Sequence, residues 1–172
     1  MNLLIHDLGE CPQRWGLRAD TVVIANNHKI RPCKGCFGCW IKTPAQCVIH
    51  DDYANMGLLL AHCDHLALVS QCLYGGYSPF VSNVLNRSIP YLLPYFSVRN
   101  GETRHPGRYA GRFDCDVHLY GKITAREKET AQKLAQRNSL NLLMRKVNVH
   151  FYDAADDIGR IAPEGNCLRA SA

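Results

Sequence analysis

The stretch PCKGCFGCWIKTPAQC, residues 32–47, places thiols at Cys33, Cys36, Cys39 and Cys47. Three of them recur at every third position, which lets one loop wrap three corners of a [4Fe–4S] cube, with the fourth supplied a short way on. Structural zinc sites more often take two separated pairs, so that two pieces of chain close the tetrahedron. Gly35 and Gly38 would let the backbone turn sharply and approach inorganic sulfur. Zinc remains an alternative, as do free or redox-active thiols, because cysteine also serves as a small buried hydrophobe. Cys11, Cys63, Cys72, Cys115 and Cys167 have no ligand-like spacing. For Cys63 and Cys115, packing is the expected role.

A second candidate is Tyr74-Gly75-Gly76-Tyr77-Ser78, whose glycines permit close backbone approach to a flat ring and whose tyrosines can stack on one. An ordinary turn with surface aromatics is the alternative. Asp51 and Asp52 precede an apolar helical run, where carboxylates are expected to cap the helix rather than to catalyse. His62 and His65 flank Cys63 but fall at a helix end, a common place for histidine. There is no Ser/His/Asp or Cys/His constellation, so no catalytic side chain is named.

To position these residues the chain offers five β-rich runs: Leu3–His6, Thr21–Ala25, Leu66–Ser70, Asp116–Tyr120 and Val147–Tyr152. Helices are expected at Tyr53–His62, within Pro79–Tyr95, and from Ala125 to about Arg145. The last is introduced by the capping-box spacing Thr124-Ala-Arg-Glu127. Strand alternating with helix predicts a doubly wound parallel sheet of order 2-1-3-4-5, covered on both faces, with ligands outside the carboxyl ends of the strands. Only fourteen residues, DLGECPQRWGLRAD, join the first two strands, so the first crossover is shortened. One domain over residues 1–160 is expected, with 161–172 as a poorly packed extension.

The order of motifs resembles the NADPH-dependent FMN reductase family, nearest its iron–sulfur flavoprotein branch. It runs from the cysteine loop and Val48-Ile-His-Asp-Asp52 through YGGYS and a helix ending Asn86-Arg87-Ser88. It continues through Gly101-Glu-Thr-Arg-His105 and Arg108-Tyr109 to Gly121 and the long helix holding Asn138. The resemblance implies a flavodoxin-like fold with FMN at the carboxyl edge of the sheet. Tyr74, Gly75, Gly76, Tyr77 and Ser78 would lie against the flavin ring, and Tyr120 and Gly121 would approach it from the other side. It also implies a [4Fe–4S] cluster on Cys33, Cys36, Cys39 and Cys47, with NAD(P)H or a reduced carrier as electron donor. The first connection has no serine or threonine for the FMN phosphate, which leaves Arg14 or Arg18 as donor. The alternative is a flavodoxin-like protein without flavin, serving as an iron–sulfur electron carrier, a redox sensor or a partner subunit.

Composition narrows the classes further. No run approaches the roughly 20 apolar residues of a membrane span. With nine cysteines, an odd number, and no signal-like start in MNLLIHDLGE, a soluble protein of a reducing cytoplasm is expected. Formal charge is +5, and Arg99, Arg104, His105, Arg108 and Arg112 face only Glu102 within residues 97–113, a patch suited to anions. No nucleic-acid-binding motif accompanies it. The apolar segment Tyr91–Phe96 is expected to serve a homodimer or higher oligomer, or else the core.

Overall fold

A computed structural model describes residues 1–99 and 101–161. Five parallel strands form the central sheet: β1 (Asn2–His6), β2 (Thr21–Ala25), β3 (His65–Gln71), β6 (Asp114–Tyr120) and β7 (Lys146–Tyr152), in the order β2-β1-β3-β6-β7. These are the five expected strands in the expected spatial order, and all their carboxyl ends fall on one edge. Between them lie α1 (Gly38–Ile41), α2 (Met56–Ala61), α3 (Pro79–Asn86) and α4 (Ala125–Asn141). Among the described residues, no helix is long and apolar enough to cross a membrane.

Alternation along the strands separates two faces. Leu3 and Ile5, Leu66 and Leu68, and Cys115, Val117 and Leu119 point to one side, where they bury against α2, α3 and α4. The anchors there include Met56 and Leu60, Phe80, Val81 and Val84, and Ala131 and Ala135. Each fully buried Leu or Ile contributes roughly 1.5–3 kcal/mol. Leu4, Ala67 and Val69 point to the other side and meet Trp15, Ile158 and Ile161. Among the described residues, no residue of an α-helix contributes to the cluster on that face, so the expected helical cover is seen there for the other face alone. The fourteen-residue first connection forms only a single 3-10 turn, Gln13–Trp15, closed by Gly16 in the left-handed region at φ 56°.

Two features pin this second face. Arg14 donates to the carbonyls of Ala155 (3.0 Å) and Ile158 (3.3 Å) and to Asp156 (2.8 Å). The Ile161 N–H donates to the Trp15 carbonyl at 3.1 Å, and Ile161 is only 5% exposed. Ile161, expected to begin a loose extension, is therefore part of the packing; residues 162–172, with Cys167, lie outside the described residues.

Local chemistry accounts for the helix starts. Glu127 accepts from the Thr124 N–H (2.9 Å) while its own N–H donates to Thr124 Oγ1 (3.3 Å), completing the capping box of α4. Ser78 caps α3, with Pro79 at the first helical position. An antiparallel hairpin, β4 (Ser97–Arg99) with β5 (Glu102–Arg104), was not among the expected elements. Of the expected interface segment, Tyr91 is core and fully buried, whereas Tyr95 and Phe96 are exposed.

Candidate functional site

The cysteine loop follows β2 and leaves the carboxyl edge of the sheet. Its one helical turn, α1, begins after Phe37 in the left-handed region at φ 52°, and Gly35 has φ 63°. Gly38 is required there because a Cβ would stand 2.6 Å from Val48. The loop brings all four predicted thiols together. Cys33, Cys36, Cys39 and Cys47 border one small cavity of about 20 Å³, closed by Phe37 and Ile89; that volume holds about one water. Cys36 is exposed, Cys33 and Cys39 are half-buried and Cys47 is buried. The Cys39 thiol is pushed up to about 11, first by burial and then by Cys47, Cys33 and Cys36. Thiols that oppose one another's ionisation in this way form a set that a cation would stabilise.

Among the described residues, no three His, Cys, Asp or Glu side chains stand close enough to hold a single metal ion. A zinc tetrahedron needs sulfurs roughly 3.8 Å apart, as follows from its bond length. A cubane carries one thiolate at each of four corners and spaces them more widely. A loop whose thiols share a cavity without converging on a point fits the larger group better.

Arg87 fastens this loop to the body. Its side chain is fully buried, and each of its five N–H groups has an acceptor. Nε donates to Cys47 Sγ at 3.1 Å. One terminal nitrogen donates to the Arg31 carbonyl (2.9 Å) and Asp51 (2.9 Å), the other to the Ile49 carbonyl (3.1 Å) and Asp51 (2.7 Å). The paired guanidinium holds the Asp51 carboxyl below its usual range. Asp51 therefore does not cap the following helix as expected: α2 begins five residues later, behind Asn55. Asp52 lies within reach of Asn27, whose side-chain nitrogen donates to it at 3.4 Å.

The second candidate region lies at the carboxyl ends of β1, β3 and β6. Here Asp7 is the central group. Its carboxylate accepts from the Gln71 N–H (2.7 Å) and from the Tyr120 hydroxyl (2.9 Å). Burial and the Asp7 charge push the Tyr120 hydroxyl up. Tyr74 and Gly75, at φ 54° and 78°, form the middle of a tight hairpin turn closed by reciprocal Leu73 and Gly76 bonds of 3.0 and 2.8 Å. Tyr74 is 92% exposed. Gly75 packs on α4, where a Cβ would meet Thr130 at 2.7 Å and the Glu127 carbonyl at 2.9 Å. Gly75→Ala is thus expected to cost about 2 kcal/mol or more, from left-handed strain plus the clash, read as a shift of the urea midpoint.

Tyr77 packs against the core with its hydroxyl near Asn138, and burial pushes it up to about 12. The Ser78 N–H donates to Ser70 Oγ at 2.8 Å. Gly121 donates to the Tyr152 carbonyl at 3.1 Å. Asn86 and Asn138 line a separate cavity of about 290 Å³ between α3 and α4. The predicted flavin residues thus share the carboxyl edge; the Tyr74 side chain is free, whereas Tyr77, Ser78, Tyr120 and Gly121 are engaged with the protein itself. Arg14 is occupied at residues 155–158, and Arg18 donates to Asp20 at 3.1 Å. A phosphate entering this region would meet the Asp7 carboxylate and a 3-10 turn too short to offer helix N–H groups. The residues present do not fit the phosphate of FMN.

A third cluster escaped the sequence reading. On the second sheet face, Asp116 accepts from His65 Nε2 (2.7 Å) and from Asn148 (2.6 Å), with His150 Nε2 at 3.5 Å. His118, 6% exposed, stacks on His150 at 4.9 Å, and its Nδ1 lies 3.0 Å from the Tyr152 hydroxyl. Its Nε2 has no partner. The strict alternation of DCDVHLY and KVNVHFY was the available signal.

Comparison with protein-family models, with characterised proteins and with solved structures finds no match to this chain.

Proposed function

We propose that this chain is an iron–sulfur electron-transfer protein built on a flavodoxin-like α/β fold. The observation that carries the proposal is the convergence of Cys33, Cys36, Cys39 and Cys47 on one cavity at the carboxyl edge of the sheet. A bound [4Fe–4S] cluster would supply one-electron storage. The chain's own contributions follow from geometry. The four thiolates would provide the ligands, and Phe37, Val48 and Ile89 line the cavity with apolar surface. The Arg87 guanidinium sets a positive charge beside Cys47, offsetting the negative charge that four thiolates bring. Gly35 has no atom within 4 Å of where a Cβ would stand, so the loop has room to yield to a group larger than its present cavity.

The flavin-free form of the reading is preferred because Asp7 and the short first connection leave no phosphate site. The parallel strand order supports the flavodoxin-like fold.

The protein purified without oxygen is expected to contain iron and acid-labile sulfide in equal amounts. Cys36→Ser or Cys39→Ser is expected to abolish both. Full-occupancy zinc without sulfide would refute the cluster. Flavin absorption that survives desalting after FMN is added would return the protein to the FMN-dependent oxidoreductases.

A further inference from the structure

From the cysteine cavity a continuous series of packed rings runs to the surface. Phe37 borders the cavity itself. It stacks on Trp40 with centroids 5.1 Å apart and planes at 22°; Trp40 meets His105 at 4.9 Å, and His105 meets Phe96 at 4.7 Å. The intermediate rings are fixed. Trp40 Nε1 donates to the Leu92 carbonyl at 3.0 Å, and His105 Nδ1 donates to the Tyr95 carbonyl at 2.9 Å. The series ends in an apolar patch, with Phe96 71%, Val98 73% and Tyr95 69% exposed. Three large side chains so exposed on adjoining positions are unusual for a free surface.

The rim of this patch is basic. Arg99, Arg104 and Arg112 line a cavity of about 650 Å³ together with Val98, and Glu102 is the one acid in its lining. Glu102 is already shared between Arg104 and Arg137. Arg99 and Arg108 donate to the backbone carbonyls of His105 and Pro90, which leaves their charge uncompensated. An apolar centre ringed by guanidinium groups is complementary to a partner that carries carboxylates around an apolar contact.

We infer that the patch formed by Tyr95, Phe96 and Val98 docks an acidic one-electron carrier protein, and that the Phe96–His105–Trp40–Phe37 rings connect it to the cysteine site. The inference rests on the iron–sulfur reading and names the partner of that site. In the transfer the carrier loses one electron and the cysteine site gains it; no bond forms or breaks and no proton moves. The rings provide a through-contact path in place of solvent, and the arginines supply orientation and encounter rate.

The test uses a photoreduced, acidic plant-type [2Fe–2S] ferredoxin as the probe, with bleaching of the oxidised protein followed by stopped flow. The second-order rate is expected to fall about tenfold or more between low and high salt. Phe96→Ser combined with Val98→Ser, and separately Arg112→Glu, are expected to lower the rate at low salt by a similar factor. Iron and sulfide content, and the rate of reduction by dithionite, are expected to be unchanged in all variants.

Loaded variants that react with ferredoxin as fast as the wild type would overturn the docking inference and leave the iron–sulfur reading intact. A wild-type dimer that Phe96→Ser with Val98→Ser converts to a monomer would also overturn it, by assigning the patch to a second copy of the chain. A wild-type protein free of iron and sulfide would remove the reading and the inference together.

Discussion

Arg87→Met is expected to lower the unfolding free energy by about 3–5 kcal/mol, the usual effect of removing one member of a buried ion pair. All five acceptors of this guanidinium lie within residues 31–51, so the loss would fall on the cysteine loop first. In the variant Asp51 would remain a largely buried carboxylate, and the Arg31 and Ile49 carbonyls would each lose their guanidinium partner. Lysine would not repair this. It offers three donors from a point charge where the site presents a carboxylate fork, a sulfur and two carbonyls.

The check is a urea titration together with the rate at which a thiol reagent reaches Cys47. Arg87→Met is expected to shift the midpoint down and accelerate the reaction, whereas adding Asp51→Leu should recover part of the stability by removing the stranded charge. An unchanged midpoint in the single variant would show that Arg87 is not the clasp.

Mild acid is expected to destabilise the fold well above the pH at which carboxylates titrate. The His118 imidazole is brought down to about 4, first by burial and then by the adjacent His150. His6, fully buried against Trp15 with neither ring nitrogen partnered, is lowered for the same reason. In the unfolded chain both titrate near the ordinary histidine value of about 6.5.

Below about pH 6.5 the unfolded state therefore binds protons that the folded state refuses. Stability is full above that pH and falls as the pH drops toward 4. For His118 alone the loss is about 2 kcal/mol at pH 5 and about 3 kcal/mol at pH 4. Asp116 does not oppose this within the window, because His65 holds its carboxyl well below the usual range. Denaturant titrations at pH 7.5 and pH 5 are expected to differ by at least the His118 amount, and His118→Phe should flatten the difference. Equal stability at both pH values would mean that His118 is protonated inside the fold.

What the sequence disclosed depended on how local each cause is. The strands and α4 follow from runs of β-branched or aliphatic residues and from a capping box, both contained within a few positions; the strands reappear with shifts of a residue or two at their ends, and α4 starts where expected but ends at Asn141, short of the expected Arg145. The hairpin at Ser97–Arg104 is hard to read from the sequence because its strands are three residues each and its arginines read as a charged loop. Its Asn100-Gly101 pair was a turn signal all the same.

Among the site residues, the cysteine spacing was legible because the four thiols lie within one loop. Arg87 was not, since its partners stand 36–56 positions away. The same holds for His65 and Asp116, which meet only through the register of β3 against β6. Asp51 was misassigned for a related reason. A carboxylate before an apolar run suits a helix cap, but a buried guanidinium outcompetes one end of a six-residue helix.

The grip of Arg14 on residues 155–158 and the bond from Ile161 to Trp15 join the first connection to the last described residue. A chain leaving the ribosome makes β1 and β2 well before the residues of this closure. Until residue 161 has emerged, Trp15 and the face formed by Leu4, Ala67 and Val69 lack the cover of Ile158 and Ile161, however complete the helical side has become. Synthesis order would thus make the cover of the helical face available before that of the second. Truncation after β7 would keep every strand and still leave the second face open.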